Sequence, residues 1–464
     1  MSKILSQNDT IYALSTCYGK AGVAIVRISG PEALRVLHDM QFAKRIVPRM
    51  ATLGKLYDCL SSELVDEAIV IYFPKTSSYT GEDVVELQIH GGIAVINKII
   101  SILSSLNYLR LARNGEFTRI ALENDKISLA KAESLIELIN SETEHQRKVA
   151  IRHYNGDLEE MYIRWRKLIV GLLSIAEAYI DFPDDMLTLG ELNKLDQDIE
   201  SLLAELQSNI AFFDKANALM SGITISIIGA TNVGKSTLMN ILSKSDTSIV
   251  SNVEGTTRDV VKTKIELCGL PIIIQDTAGF RETDDVVEIM GIDKSKKAMR
   301  DADIVVVMLD VSNLTDLSIF LQVEKFKKTE TYVLVVLNKI DKVDNSDHSE
   351  LQLIKYLDSI NFRYNNVLAT SLKLEQDQSE VINLIESVAK EFVQFGDVNM
   401  ITNIRHQNTL QDCSYHLKNS LSKEALELKT EELRYAAKEI GGLLGDITME
   451  EVLDEVFSSF CIGK

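Results

Sequence analysis

GATNVGKS, at residues 229–236, fits the phosphate-binding pattern G-x-x-x-x-G-K-[ST] and follows the apolar stretch 224–228. Strand, loop and helix therefore come in the order this motif requires. Its glycines let backbone N–H groups close around a polyphosphate at a helix N-terminus. Lys235 reaches the terminal phosphates, and the Ser236 hydroxyl can coordinate magnesium. Asn232, Val233, Gly234 and Thr237 complete the loop and the turn after it. A nucleoside triphosphate is the expected ligand.

Three further motifs follow in order. GTTRD, residues 255–259, supplies Thr257, which can complete the magnesium sphere, and Ser251, Asn252, Val253, Glu254, Gly255 and Thr256 lead up to it as candidate nucleotide contacts. DTAG, residues 276–279, closes the apolar run 271–274. There Asp276 is expected to face the magnesium ion through its water shell and Gly279 to offer its N–H to the γ-phosphate, with Thr277 and Ala278 between them. NKID, residues 338–341, ends the strand-like run 333–337 with Asn338 and Lys339. The Asp341 carboxylate can accept both the ring N–H and the exocyclic amine of guanine. Adenine lacks both donors and would leave it unpaired, so the base is expected to be guanine. TSLK, residues 370–373, stands where GTPases carry a loop whose backbone reads the guanine carbonyl; Thr370 and Ser371 are followed by Leu372 in place of the usual alanine. The ordered set is that of a GTPase.

The nucleotide motifs occupy only the middle of the chain. A length of 464 residues exceeds what one core usually supports, so two or three domains are expected. The formal net charge of -19, with no Lys/Arg-rich run, opposes extensive direct binding to a phosphate backbone unless a local basic patch or a basic partner intervenes. Cys17, Cys59, Cys268, Cys413 and Cys461 are odd in number and form no C-x-x-C pair. A disulfide framework or structural zinc site is not expected, and a reducing cytosol fits. The first residues, MSKILSQNDT, lack a charged-then-apolar signal, and no stretch approaches the ~18 apolar residues of a membrane span. A soluble, cytoplasmic protein is the expectation.

Up to residue 124, β-rich runs such as 22–28 and 68–73 alternate with helical ones such as 93–106, which reads as a small α/β domain. From residue 125 the pattern changes to long amphipathic helices. Ala132, Leu135, Ile136 and Ile139 recur at helical spacing, as do Leu158, Met161, Tyr162, Trp165, Leu168, Ile169 and Leu172, and again Leu192, Leu195, Ile199, Leu202, Leu203, Leu206 and Ile210. These stripes, Trp165 included, read as packed core. DFPDD at 181–185 breaks the run. The nucleotide domain, residues 222–389, then interrupts the helices, which resume over 390–464 with Leu410, Cys413, Leu417 and Leu421, and with Leu433, Ala436, Ile440, Leu443 and Leu444. Thr448 and Glu451 form a capping-box signature ahead of Val452, Leu453, Val456, Phe457 and Phe460. The fold class is thus α/β plus all-α, a Ras-like doubly wound P-loop domain inserted between the two parts of a helical bundle, 125–221 and 390–464.

SYTGEDVVELQIHGG at 78–92, NGEFTRIALENDKISLAKAE at 114–133, AYIDFPDD at 178–185 and SSFCIGK at 458–464, together with the inserted GTPase, resemble the MnmE (TrmE) family of tRNA-modification GTPases over essentially the whole chain. The terminal Cys-x-Gly-Lys is the most specific element. The resemblance implies a homodimer that joins the flavoprotein MnmG (GidA) in a heterotetramer and builds a carboxymethylaminomethyl group on the wobble uridine of certain tRNAs. It implies that residues 1–124 form an α+β tetrahydrofolate-binding and dimerisation domain. Matched by motif, the 5-formyltetrahydrofolate contacts fall on Arg27, Glu86, Lys126 and Lys464; each alone would read as ordinary surface charge. Basic side chains and a carboxylate suit folate, whose glutamate tail is anionic and whose pterin ring offers donors. Cys461 lies in an apolar context with no sign of an activated thiol and is left out of the catalytic set.

In many small GTPases a glutamine after DTAG orients the attacking water. Here that residue is Phe280, and the loop RETDDVVE at 281–288 offers Glu282, Asp284, Asp285 and Glu288 instead. On sequence alone any of these could serve; the resemblance places the catalytic carboxylate on Glu288. Positive charge for the transition state could come from Arg258 or Arg281 as an arginine finger. The resemblance implies potassium instead, held by Asn232, Ser251, Val253 and Thr256, with Val253 contributing its carbonyl and Ser251 standing where threonine is common. Such a carbonyl- and amide-lined site prefers a large, weakly hydrated cation over sodium. Two other readings stay open. A ribosome-assembly GTPase would be expected to append a basic KH-like module, and no such GXXG segment is evident. A GTP-gated scaffold would use its N-terminal domain only to dimerise, and folate binding by that region separates it from the first reading.

Overall fold

The computed structural model describes residues 9–181, 189–244, 251–252, 261–276, 296–314, 318–329, 331–343, 346–391, 401–445, 456–458 and 460–463. The chain divides into two compact units. One comprises Met1–Ile139, His153–Ile169 and Ala437–Lys464; the other comprises Asn140–Arg152 and Val170–Ala436.

In the first unit, strands β1 (Thr10–Leu14), β2 (Val23–Ser29), β3 (Thr52–Tyr57), β4 (Leu64–Phe73), β5 (Val84–His90) and β6 (Leu109–Leu111) form a sheet in the order β3-β4-β5-β2-β1-β6. The strands pair antiparallel except β1 with β6. Period-two alternation decides the faces. Ala24, Val26 and Ile28 of β2 are buried with Val70, Leu87 and the helices α1 (Ala33–Asp39) and α2 (Ile93–Ser105), whose Ile96, Ile99 and Leu103 recur at helical spacing. Arg27 and Glu86 consequently turn to the opposite face. Helices α3 (Glu116–Glu123) and α4 (Leu129–Ile139) follow; of the next two helices, α5 (Glu144–Asn155) belongs to the second unit up to Arg152 and α6 (Asp157–Asp181) to the first unit up to Ile169. On α6, Leu158, Met161, Tyr162, Trp165 and Ile169 are buried, with the Tyr162 and Trp165 rings 5.9 Å apart. Leu168 departs from the expected stripe and is exposed. It sits ~100° around the helix from Ile169, on the flank of the apolar face.

Near its end the chain returns to this unit. Phe457 and Phe460 pack with Ala132. Ile462 bridges Asn114, the Ser15 hydroxyl donates to the Gly463 carbonyl at 3.0 Å, and Gly115 N–H reaches the Cys461 carbonyl at 3.5 Å. The proposed cap residues Thr448 and Glu451, with Val452 and Leu453, lie outside the described residues, as do Phe182, Pro183, Asp184 and Asp185 beyond the end of α6.

The second unit contains α7 (Leu189–Ala211) and α8 (Phe213–Ser221), then β7 (Ile223–Ile228), α9 (Lys235–Lys244), β8 (Ser251–Asn252), β9 (Val261–Leu267), β10 (Leu270–Asp276), β11 (Ile304–Asp310), α10 (Ser318–Phe326), β12 (Tyr332–Asn338), α11 (Ser346–Ser359), β13 (Asn366–Ala369) and α12 (Glu375–Glu391). Its sheet runs β13-β12-β11-β7-β10-β9-β8. The four strands β7, β11, β12 and β13 and the β7–β10 pair are parallel, while β9 pairs antiparallel with β10 and β8. β11 and β12 are apolar on both faces because helices cover both. Ile225, Ile227, Met308 and Val336 pack toward Leu238 and Ile385, whereas Val307, Val335 and Leu337 pack toward Phe320 and Leu357. Helix α13 (Ile404–Ser422) lies along α7, and α14 (Leu426–Leu444) follows it. Among the described residues, no helix is long and apolar enough to cross a membrane.

Candidate functional site

In an open parallel sheet the ligand crevice lies outside the carboxyl ends of the strands. The loops after β7, β12 and β13 all open there. Residues 229–234 link β7 to α9, and both glycines are required by what they face. Gly234 has φ +112, and a Cβ on it would overlap the Asn338 carboxamide nitrogen; a Cβ on Gly229 would overlap the Met308 carbonyl. Asn232 is left-handed at φ 61, a conformation asparagine tolerates better than most residues. Lys235 opens α9 and donates to the carbonyls of Gly229 and Ala230 at 2.7 and 2.6 Å, which holds its ammonium over the loop. Ser236 and Thr237 are exposed in the first turn of α9, where free N–H groups and the helix dipole favour an anion. A backbone cradle closed to side chains at two glycines, with one lysine across it, fits a polyphosphate.

The Asn338 side chain joins this loop to the base side. Its Nδ2 donates to the Val233 carbonyl at 2.7 Å, and its Oδ1 accepts the N–H groups of Lys339 at 2.8 Å and Leu372 at 3.1 Å. It is 4% exposed, so these bonds form out of water, where leaving them unmade is costly. Leu372 explains itself here. The loop uses its backbone, the N–H toward Asn338 and the carbonyl as acceptor for Gln378 Nε2 at 2.8 Å, while its side chain, 3% exposed, joins the sheet core.

Asp341 follows on the same turn. One of its oxygens accepts from the Ser371 hydroxyl at 2.7 Å, the other lies 3.3 Å from Lys373 Nζ, and the hydroxyl first and the ammonium second hold its carboxyl below the usual range. An ionised carboxylate keeps further lone pairs for two donors of a base. Asp310 and Asp377 are partners that the motifs did not single out. Lys339 Nζ bonds Asp310 at 2.7 Å and the Asn232 carbonyl at 2.6 Å. Burial pushes the Asp310 carboxyl up, but bonds from Lys339 and from the hydroxyl and N–H of Ser312 outweigh it and hold the group at about 2. Asp377 accepts the Ser371 N–H at 3.0 Å. Neither Asp310 nor Asp377 lies within any of the nucleotide motifs, so neither carried a signal in the sequence.

Asp276 ends β10 in register with Ile227, beside the strand that leads into the phosphate loop. Ser251 and Asn252 pair with Lys264 and Thr263 across β8 and β9. Val253, Glu254, Gly255, Thr256, Thr257, Thr277, Ala278, Gly279 and Glu288 lie outside the described residues, as does Lys464.

In the first unit, Arg27 and Glu86 are register partners on β2 and β5 and form an ion pair at 3.0 Å. The guanidinium also lies 5.8 Å from the Tyr79 ring centre and 5.6 Å from that of Phe117. Their side chains are 21% and 16% exposed, so this is a half-buried pair rather than free surface charge. Lys126 is exposed after α3, close to Gly81. Gly463 is bonded to Ser15, which follows β1, and Ala13 of β1 pairs with Arg27. The described tail thus ends beside the strand pair that carries Arg27. A planar heterocycle with donors and an anionic tail suits this set of rings and opposite charges.

Two family models match the chain: GTP-binding protein TrmE N-terminus over residues 10–126 and MnmE helical domain over residues 129–461. The tRNA modification GTPase MnmE of Wolbachia sp. subsp. Brugia malayi (strain TRS) is 40% identical over 463 residues, which is 99% of this chain and 100% of that protein. The tRNA modification GTPase MnmE of Rickettsia akari (strain Hartford) is 38% identical over 457 residues, 98% of this chain and 100% of its own.

Proposed function

The chain belongs to the MnmE family of tRNA modification GTPases, and from that premise we propose that it binds and hydrolyses GTP while modifying the wobble uridine of certain tRNAs in the cytoplasm. The observation that carries the GTP reading is the Asn338 carboxamide, which ties the phosphate loop at Val233 to the guanine loop at Leu372. With that bridge in place, Asp341 accepts the two guanine donors, Lys235 meets the phosphates, and Glu288 orients the attacking water. Magnesium, when bound, would neutralise phosphate charge between Ser236 and Thr257. Potassium, when bound, would add positive charge at the transition state and be held by Asn232, Ser251, Val253 and Thr256. A tetrahydrofolate such as the 5-formyl form would supply a one-carbon unit beside Arg27, Glu86, Lys126 and Lys464. The working assembly is a homodimer with the flavoprotein MnmG in a heterotetramer, and the nucleotide domain, residues 222–389, is inserted in a helical domain made of 125–221 and 390–464.

Analysis of tRNA from cells lacking the protein tests the whole reading: wobble uridines should lose their carboxymethylaminomethyl group, and an unchanged modification pattern overturns it. Glu288→Ala tests the chemistry. It should slow single-turnover GTP hydrolysis by about 10²-fold, the scale of a lost general base, with GTP affinity retained. A wild-type rate would move the role to Glu282, Asp284 or Asp285.

A further inference from the structure

The strands β9 and β10 form a hairpin that joins the two segments carrying Thr257 and Asp276. Its two-residue turn, Cys268 and Gly269, has φ +55 and φ +78, the left-handed pair that a tight hairpin matching strand twist requires. From this turn β10 runs to Asp276, in register with Ile227 on the strand that leads into the phosphate loop. The start of α5, which belongs to the same compact unit, holds the hairpin at its turn.

The hold is built from the sequence Thr143-Glu144-His145-Gln146, a capping box. Gln146 Oε1 accepts the N–H groups of Glu142 and Thr143, both at 2.9 Å, which closes the end of the helix. The other end of the same amide donates to the Met220 carbonyl at 2.7 Å, just ahead of the strand that leads to the phosphate loop. With the first turn fixed in this way, His145 Nδ1–H donates to the Gly269 carbonyl at 3.0 Å. The approach is close, since a Cβ on Gly269 would lie 2.8 Å from that nitrogen. Lys264 of β9 reaches Glu142 at 3.4 Å, and Val149 and Cys268 both pack on the sheet core.

We propose that His145 is a positioning residue for GTP hydrolysis: from α5 it fixes the turn of the hairpin whose strand β10 carries Asp276 and so sets the hydrolysis rate without touching the nucleotide. The proposal rests on the GTPase reading above. It assigns a catalytic consequence to a side chain outside every nucleotide motif.

The test uses the full chain and separates rate from affinity. His145→Ala should slow single-turnover hydrolysis roughly three- to tenfold, the weight of one hydrogen bond, with the GTP Kd within about twofold of wild type. His145→Asn, whose amide can donate to the same carbonyl, should restore most of the rate. Gly269→Ala disturbs the contact from the other side and should slow hydrolysis in the same way, which covers a failure of His145→Ala to fold. Arg147→Ala, next to His145 but in an exposed pair with Glu144, should keep the wild-type rate. A wild-type rate in His145→Ala, no recovery in His145→Asn, or an equal loss in Arg147→Ala overturns the proposal alone. A wild-type chain that neither binds nor hydrolyses GTP overturns the nucleotide reading and this proposal with it.

Discussion

The nucleotide loops and the Arg27–Glu86 pair are assembled in opposite ways. In the first, short motifs carry both the chemistry and the backbone geometry that positions it. Gly229 and Gly234 shape the loop, and the lysine that serves it is the next residue after Gly234. In the second, register does the positioning: residues 27 and 86 meet only because β2 and β5 pair antiparallel, and the chain end arrives through bonds between Ser15 and Gly463 and between Asn114 and Ile462. A site of the first kind fails when its backbone is disturbed, whereas one of the second kind loses side-chain energies of a more modest size.

The largest effect expected from this contrast is that of Gly234→Ala. The new methyl would face a left-handed backbone, at about 1–2 kcal/mol. It would also push the Asn338 amide off the Val233 carbonyl, leaving buried polar groups unpaired at about 1–3 kcal/mol. Together these should weaken GTP binding roughly 30- to 5000-fold by equilibrium titration, with the Arg27–Glu86 region unaffected. Near-normal affinity would mean that the loop does not need its backbone shape.

Asp341→Asn should act on one side of the same site and more mildly. It exchanges an acceptor for a donor beside two guanine donors, so GTP binding should weaken by about 1–3 kcal/mol. Xanthine carries a carbonyl where guanine carries its amine, so the same change should raise affinity for xanthosine triphosphate. A parallel loss of both nucleotides in competition titrations would show that Asp341 supports the Ser371 loop without reading the base.

How far the sequence could be read follows the same division. The doubly wound sheet was legible because GATNVGKS, DTAG and NKID each follow an apolar run, at 224–228, 271–274 and 333–337. Trp165 was legible as core because its neighbours repeat at helical spacing. Leu168 misled because periodicity marks a stripe but not its edge. Asp310 and Asp377 could not be found, since their roles depend on where β11 and α12 end in space, and no spacing rule connects 310 to 339 or 377 to 371. Arg27 and Glu86 were reached through resemblance, and their pairing with each other, with Tyr79 and Phe117 alongside, required the strand register. His145 had only a capping-box pattern, which gives a helix start but not what that start touches.

The smallest effect belongs to that register-built pair, and a double-mutant cycle measures it. Arg27 and Glu86 are half-buried, so their coupling should exceed that of an exposed pair and reach about 1–2 kcal/mol in chemical denaturation. Arg27→Ala should cost more than Glu86→Ala, because the guanidinium also faces the Tyr79 and Phe117 rings, contacts worth about 0.5–1 kcal/mol at such sites. Arg27→Lys should recover part of the coupling but not the ring contacts, since an ammonium lacks the planar face. Adding 5-formyltetrahydrofolate to each variant then turns the pair into a test of binding. If the ligand engages these two side chains, the thermal stabilisation it gives the wild type should shrink in both single variants. Coupling without any ligand-dependent difference would make the pair a strand clasp alone and would move the search for the folate contacts to Lys126 and the end of the chain.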